Sequence, residues 1–105
     1  MTNNPPELKW LAVDLDLTLA NTSGAPDYHL LEPIEDNVRK LRECVDEGWK
    51  IVIHTSRHWQ DYSLIEDWLN KHQIPFKFIC CGKILVHRYI DDKAIPADAE
   101  WKDYL

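Results

Sequence analysis

Three apolar runs in this chain stop abruptly at polar side chains, and that pattern constrains the fold more than any other feature. The run over 8–15 ends at Asp14 and Asp16, the run over 50–57 in Thr55, Ser56 and Arg57, and the run over 86–90 at Asp91 and Asp92. Continuous apolar runs of this length suit strands covered on both faces, as in a parallel sheet. Between the first two lies a helix signalled by Pro33 at its start, Glu35 and Asp36 in its first turn, and Ile34, Val38, Leu41 and Val45 at helical spacing. Gly48 is placed to end it. A second helix is expected over 59–72, with Trp59, Tyr62, Ile65, Trp68 and Leu69 as its stripe and Pro75 beyond its end, followed by a short third strand over 76–80. Residues 20–32, rich in turn formers, read as loop, and the tail over 93–105 as a short helix docked through Trp101 and Leu105. The order strand, helix, strand, helix, strand, strand predicts an α/β fold: a three-layer, Rossmann-like sandwich around a small, mainly parallel sheet.

At 105 residues the chain is expected to form one domain over 1–105, with its five tryptophans as large anchors for a modest core. The formal charge of −6, without a lysine- or arginine-rich block, argues against binding a nucleic-acid backbone. Cys44, Cys80 and Cys81 are odd in number and lack C-x-x-C spacing, so they suggest neither a zinc site nor a disulfide framework and read as reduced thiols. The amino terminus lacks a signal-peptide pattern and no apolar run approaches the length of a membrane span, so the expected location is the cytoplasm.

In a parallel sheet, ligands bind beyond the carboxyl ends of the strands, where all three polar terminations would gather. Several carboxylates on one rim repel each other unless a cation joins them. A hard divalent ion resolves this, and Mg²⁺ suits a few carboxylates together with water and a substrate phosphate. Lys83 adds a positive charge and Thr55 a hydroxyl donor for a phosphoryl oxygen. Because side chains alternate along a strand, Asp14 and Asp16 can point the same way and Leu15 the other. One carboxylate can then attack phosphorus while the other manages the proton. Arg57 reads as a structural ion-pair partner or a substrate contact, and His54, His58, His72 and His87 show no ligand spacing.

The order Asp14-x-Asp16-x-Thr18, Thr55, Lys83 and Asp91-Asp92, three of the four at strand ends, resembles the haloacid dehalogenase (HAD) superfamily of phosphohydrolases. The likeness spans 10–94, and GKILVHRYIDDKA resembles the K-P-x-x-x-x-Y-I-D-D-[KR]-A ending of small members. The resemblance implies Asp14 as nucleophile and Asp16 as general acid/base. It implies Mg²⁺ on the Asp14 carboxylate, the Asp16 carbonyl and Asp91, with Asp92 supporting, and Thr55 and Lys83 on the phosphoryl oxygens. Leu17 stands where many relatives have glycine, and Ile84 where proline is usual. The link over 81–85 is also shorter than the dozen or so residues of a normal parallel crossover.

Relatives often carry a cap inserted after the first motif or the third strand. Residues 20–32 are too few for a folded cap, so the resemblance implies a capless, open site, with Tyr28 and His29 as the nearest candidates to touch a substrate. The expected function is Mg²⁺-dependent hydrolysis of a phosphate monoester on a small metabolite, such as a sugar phosphate. Two alternatives stand beside it: hydrolysis at a macromolecular or nucleic-acid terminal phosphate, and a non-catalytic phosphate- or metal-binding subunit. A receiver domain fits less well, because its phospho-accepting Asp ends the third strand and 76–80 supplies none.

Overall fold

The computed structural model describes residues 9–105. Its strands are β1 (Trp10–Val13), β2 (Ala20–Thr22), β3 (Leu30–Pro33), β4 (Lys50–His54) and β5 (Phe78–Cys80), and its helices are α1 (Glu35–Asp46) and α2 (Tyr62–Lys71). Single 3₁₀ turns span Trp59–Asp61 and Trp101–Tyr104. β1, β4 and β5 form a parallel sheet in that order, and β2 and β3 an antiparallel ribbon.

The sheet grows in one direction, from β1 through α1 to β4 and through α2 to β5. Right-handed crossovers therefore place both helices on the same face. Burial along the strands agrees with this: Val13, Ile51, Ile53 and Ile79 are buried, while Trp10, Ala12, Lys50, Phe78 and Cys80 on the other face are exposed. The uniform apolar runs predicted two covered faces; the described residues pack only one. On the open face Trp10 stacks on Phe78 with ring centroids 5.4 Å apart, and the Lys50 ammonium lies 5.2 Å from the Trp10 centroid.

α1 buries Val38, Leu41 and Cys44 against the sheet and ends where Gly48 takes φ 95°, a conformation glycine adopts without steric cost. α2 buries Ile65, Trp68 and Leu69. It begins later than expected, because Trp59 lies in the 3₁₀ turn and is largely exposed. Residues 20–32 are a hairpin rather than a plain loop. The Trp68 indole N–H donates to the Leu31 carbonyl at 2.8 Å, tying that hairpin to α2. In the tail, Trp101 is buried and donates to the Ala97 carbonyl at 3.0 Å, while Arg39 on α1 pairs with Glu100 at 2.9 Å. Leu105, expected to dock, is exposed.

The fourth sheet strand expected over 86–90 does not form, and the short link explains why. The Gly82 N–H donates to the Arg57 carbonyl and the Lys83 N–H to the Thr55 carbonyl, each at 2.9 Å, so the chain is held at the carboxyl rim of β4 as far as Lys83. Val86 lies three residues further, at most about 11 Å away along a fully extended chain. Entering beside β1 in parallel requires descending about 13 Å of strand and crossing about 10 Å of sheet. The chain cannot reach.

Trp101→Ala should lower the free energy of unfolding by about 3 kcal/mol, the cost of emptying a large core site. Urea denaturation checks this, and a change under about 0.5 kcal/mol, the range of ordinary surface substitutions, would show that the tail does not dock.

Candidate active site

The rim beyond β1, β4 and β5 collects Asp14, Asp16, Thr55, Arg57 and Lys83. After Val13 the chain enters a tight turn in which the Leu15 carbonyl accepts from the N–H groups of Thr18, Leu19 and Ala20 at 2.9–3.2 Å. Leu15 and Leu19 are fully buried and act as its anchors. Leu17 lies between them at φ 61° with its side chain in solvent, so it adopts the left-handed conformation that glycine would take at no cost. The Asn37 side-chain amide from α1 donates to the Thr18 carbonyl at 2.8 Å and pins the turn from below.

Asp14 sits where the strand gives way to this turn. One carboxylate oxygen lies 3.9 Å from the Lys83 ammonium, and the other accepts a long 3.4 Å bond from the Thr18 hydroxyl. Burial pushes its carboxyl above the ordinary aspartate value and the Asp16 charge adds to the shift; the Lys83 charge, the Leu15 N–H and the Thr18 hydroxyl oppose it.

Asp16 has a different environment. Arg57 grips it with Nε at 3.0 and 3.2 Å from its two oxygens and Nη2 at 2.7 Å from one of them, and the Thr22 hydroxyl donates at 2.8 Å. The same Arg57 donates to the Tyr28 carbonyl, which draws the hairpin over the rim. Arg57 is thus an ion-pair partner, while the Tyr28 ring stays exposed. Thr22 was not foreseen as a contact to Asp16, and nothing in the local sequence marks it, since the pairing depends on how β2 returns past β1.

Thr55 is fully buried, and its hydroxyl accepts from the Arg57 N–H at 3.1 Å. Its backbone joins the other two loops: the N–H donates to the Cys80 carbonyl and the carbonyl accepts from Lys83, both at 2.9 Å. That stitching delivers the Lys83 side chain to Asp14. Gly82 makes the turn possible at φ 83°, beside the Trp59 indole.

Asp91 and Asp92 are not brought to this rim. They lie in an exposed segment where Asp91 accepts from the Lys93 N–H at 2.8 Å and Asp92 lies 3.6 Å from the Lys93 ammonium. The Lys93 N–H, ahead of a bond with Asp92, holds the Asp91 carboxyl below its usual value. Among the described residues no three His, Cys, Asp or Glu side chains converge on a possible metal position. A single chain therefore offers a hard cation the Asp14 carboxylate and the Asp16 carbonyl, which accepts none of the turn's hydrogen bonds, and falls short of a full oxygen cage. No described helix is long and apolar enough to cross a membrane.

A crystal structure of a target protein from Vibrio cholerae superposes with a TM-score of 0.74, at 32% identity over 92% of this chain and 94% of that one. The chain belongs to the family of that Vibrio cholerae protein. No family model matches the chain, and no curated protein does. The fold recurs in the Pnkp1/Rnl/Hen1 complex, at a TM-score of 0.63 and 20% identity over 88% of this chain, which spans 33% of the chain it resembles there.

Two stability outcomes follow from this geometry. Leu17→Gly should raise the free energy of unfolding by about 0.5–1 kcal/mol, since relief of the left-handed strain outweighs the added chain entropy and no buried contact is lost. Asp14→Asn should raise the melting temperature near neutral pH. A carboxyl whose folded pKa is raised costs stability once ionised; that cost is absent below the unfolded value of 3.8 and complete above the raised folded value. The variant's advantage should therefore shrink as pH falls through that window, and calorimetry across pH reads it directly.

Proposed function

We propose that this chain is a HAD-type phosphohydrolase that cleaves a phosphate monoester through an aspartyl-phosphate, with a small phosphorylated metabolite such as a sugar phosphate as substrate. The observation that carries the reading is Asp14 at a strand end, 3.9 Å from Lys83, with a second carboxylate two residues on. On this reading the fold is a capless form of the Rossmann-like α/β fold that the sequence pattern leads one to expect, with one face of the sheet covered by the described residues.

Asp14 attacks phosphorus, and the bond to the leaving oxygen breaks as Asp16 donates a proton to it. Asp16 then takes a proton from water, which attacks the aspartyl-phosphate and releases inorganic phosphate with Asp14 restored. Lys83 and the Thr55 hydroxyl neutralise charge on the transferring group, the main task of a protein in phosphoryl transfer. Mg²⁺ on the Asp14 carboxylate and the Asp16 carbonyl would supply further neutralisation of that charge, while Asp91 and Asp92, expected to share it, lie away from this rim in the single chain. For Asp16 to exchange protons, Arg57 must loosen its grip, and a phosphate entering the rim offers the guanidinium a competing partner.

That grip also favours a second reading, in which the site binds phosphate without turnover because Asp16 stays locked. Phosphate release from an aryl phosphate separates the two. Mg²⁺-dependent release that disappears in Asp14→Asn and falls about 10²-fold or more in Asp16→Asn supports hydrolysis. Saturable phosphate binding, with no release from the aryl ester or from a panel of sugar phosphates and phosphorylated ends, supports the binding subunit.

A further inference from the structure

Among the described residues the most exposed apolar segment is the one that fails to join the sheet. Ile84 is 74% exposed, Leu85 83% and Ile90 fully so, with Val86 and Tyr89 about half exposed. Its own contacts are local: the Tyr89 hydroxyl donates to the Ile84 carbonyl, Arg88 to the His87 carbonyl, and the Lys83 ammonium lies 4.9 Å from the Tyr89 ring centroid. Soluble monomers rarely leave such a run in water. At the same time β1 is an edge of the sheet, paired on one side by β4 and on the other by no described strand. A free parallel edge beside a free apolar strand is an unsatisfied pair within one sequence.

The chain cannot join that pair to itself. Held at the rim by Lys83, it lacks the length to enter beside its own β1 in parallel, as shown above. Antiparallel entry is within reach but would carry Asp91 and Asp92 to the rim opposite Asp14. A second copy removes the length limit.

We infer that two copies of this chain exchange residues 84–92, each strand 86–90 pairing in parallel with the free edge of the other copy's β1 and setting Asp91 and Asp92 beside that copy's Asp14 and Asp16. The exchange is mutual, so it closes as a two-fold dimer and leaves no free strand to propagate a fibre. It buries the exposed isoleucines, fills the sheet edge and completes the oxygen donors that one chain lacks. Its catalytic meaning rests on the phosphohydrolase reading; the exchange itself does not.

Light scattering on the eluting 105-residue chain should give twice the 12.4 kDa chain mass, and Ile90→Asp should shift it towards one chain while leaving the circular dichroism intact. Cysteines test the geometry independently. In a Cys80→Ser background, mixed Ala12→Cys and Tyr89→Cys chains should form a disulfide that peptide mapping places between position 12 of one chain and 89 of the other. A monomer at every concentration, a dimer indifferent to Ile90→Asp, or a 12–89 link only within a doubly substituted chain overturns the exchange. Co-refolding Asp14→Asn with Asp91→Asn in equal amounts should then restore about a quarter of wild-type phosphate release, because half the dimers are mixed and each holds one intact site. A cross-linked dimer without any phosphate release would uphold the exchange and overturn the phosphohydrolase reading. Active wild type with no restoration on mixing would place both carboxylate pairs in one chain and overturn the exchange.

Discussion

The two-pronged contact between Arg57 and Asp16 is the interaction on which the rim depends. It joins the turn after β1 to the loop after β4, and through the Tyr28 carbonyl it fastens the hairpin as well. The pair is largely shielded from water, so losing one partner would strand a charge in a half-buried place, at a cost well above that of a surface pair. Thr55 extends the same clasp to the loop after β5, because its backbone receives Lys83 and its hydroxyl receives the Arg57 N–H. Three loops from three strands are thereby locked relative to one another before any ligand arrives.

Locking has a chemical consequence. Asp14 and Asp16 are two residues apart, yet their environments differ. Asp14 is desolvated and only loosely partnered, so burial pushes its carboxyl above the ordinary aspartate value while its oxygens keep only a long bond from Thr18 and the Lys83 charge nearby. Asp16 has its oxygens committed to a guanidinium and a hydroxyl. Divergent surroundings for neighbouring carboxyls are how a site gives chemically identical groups separate tasks. On the phosphohydrolase reading, Asp14 is the carboxylate left free to attack, and the availability of Asp16 is conditional on what Arg57 holds.

Among the described residues the sheet is open at its β1 edge and bare on one face. Parallel strands are normally covered on both sides, and here the alternation from buried Ile51 and Ile53 to exposed Lys50 and Trp10 departs from that habit. The bare edge, the stranded apolar segment and the absent third carboxylate share one cause, a link too short to cross the sheet. A mutual exchange between two copies would remedy all three.

The amino-acid sequence by itself determined the local elements that depend on near neighbours. The stripe of Val38 and Leu41, the stop at Gly48, the strand beginning at Lys50 and the placing of Asp14, Asp16 and Thr55 at strand ends all follow from periodicity and turn chemistry acting over a few residues. The hairpin in 20–32 was not legible, because its two short strands pair with a register shift and are held by contacts to α2 and Arg57 that lie far away in sequence. Nor was the fate of 86–90. Its composition is that of a buried strand, and only the tethering of Gly82 and Lys83 to the loop after β4 takes the strand's own edge out of reach. Propensity is set by neighbours along the chain, whereas pairing is set by distance in space, and tertiary structure alone decides the second.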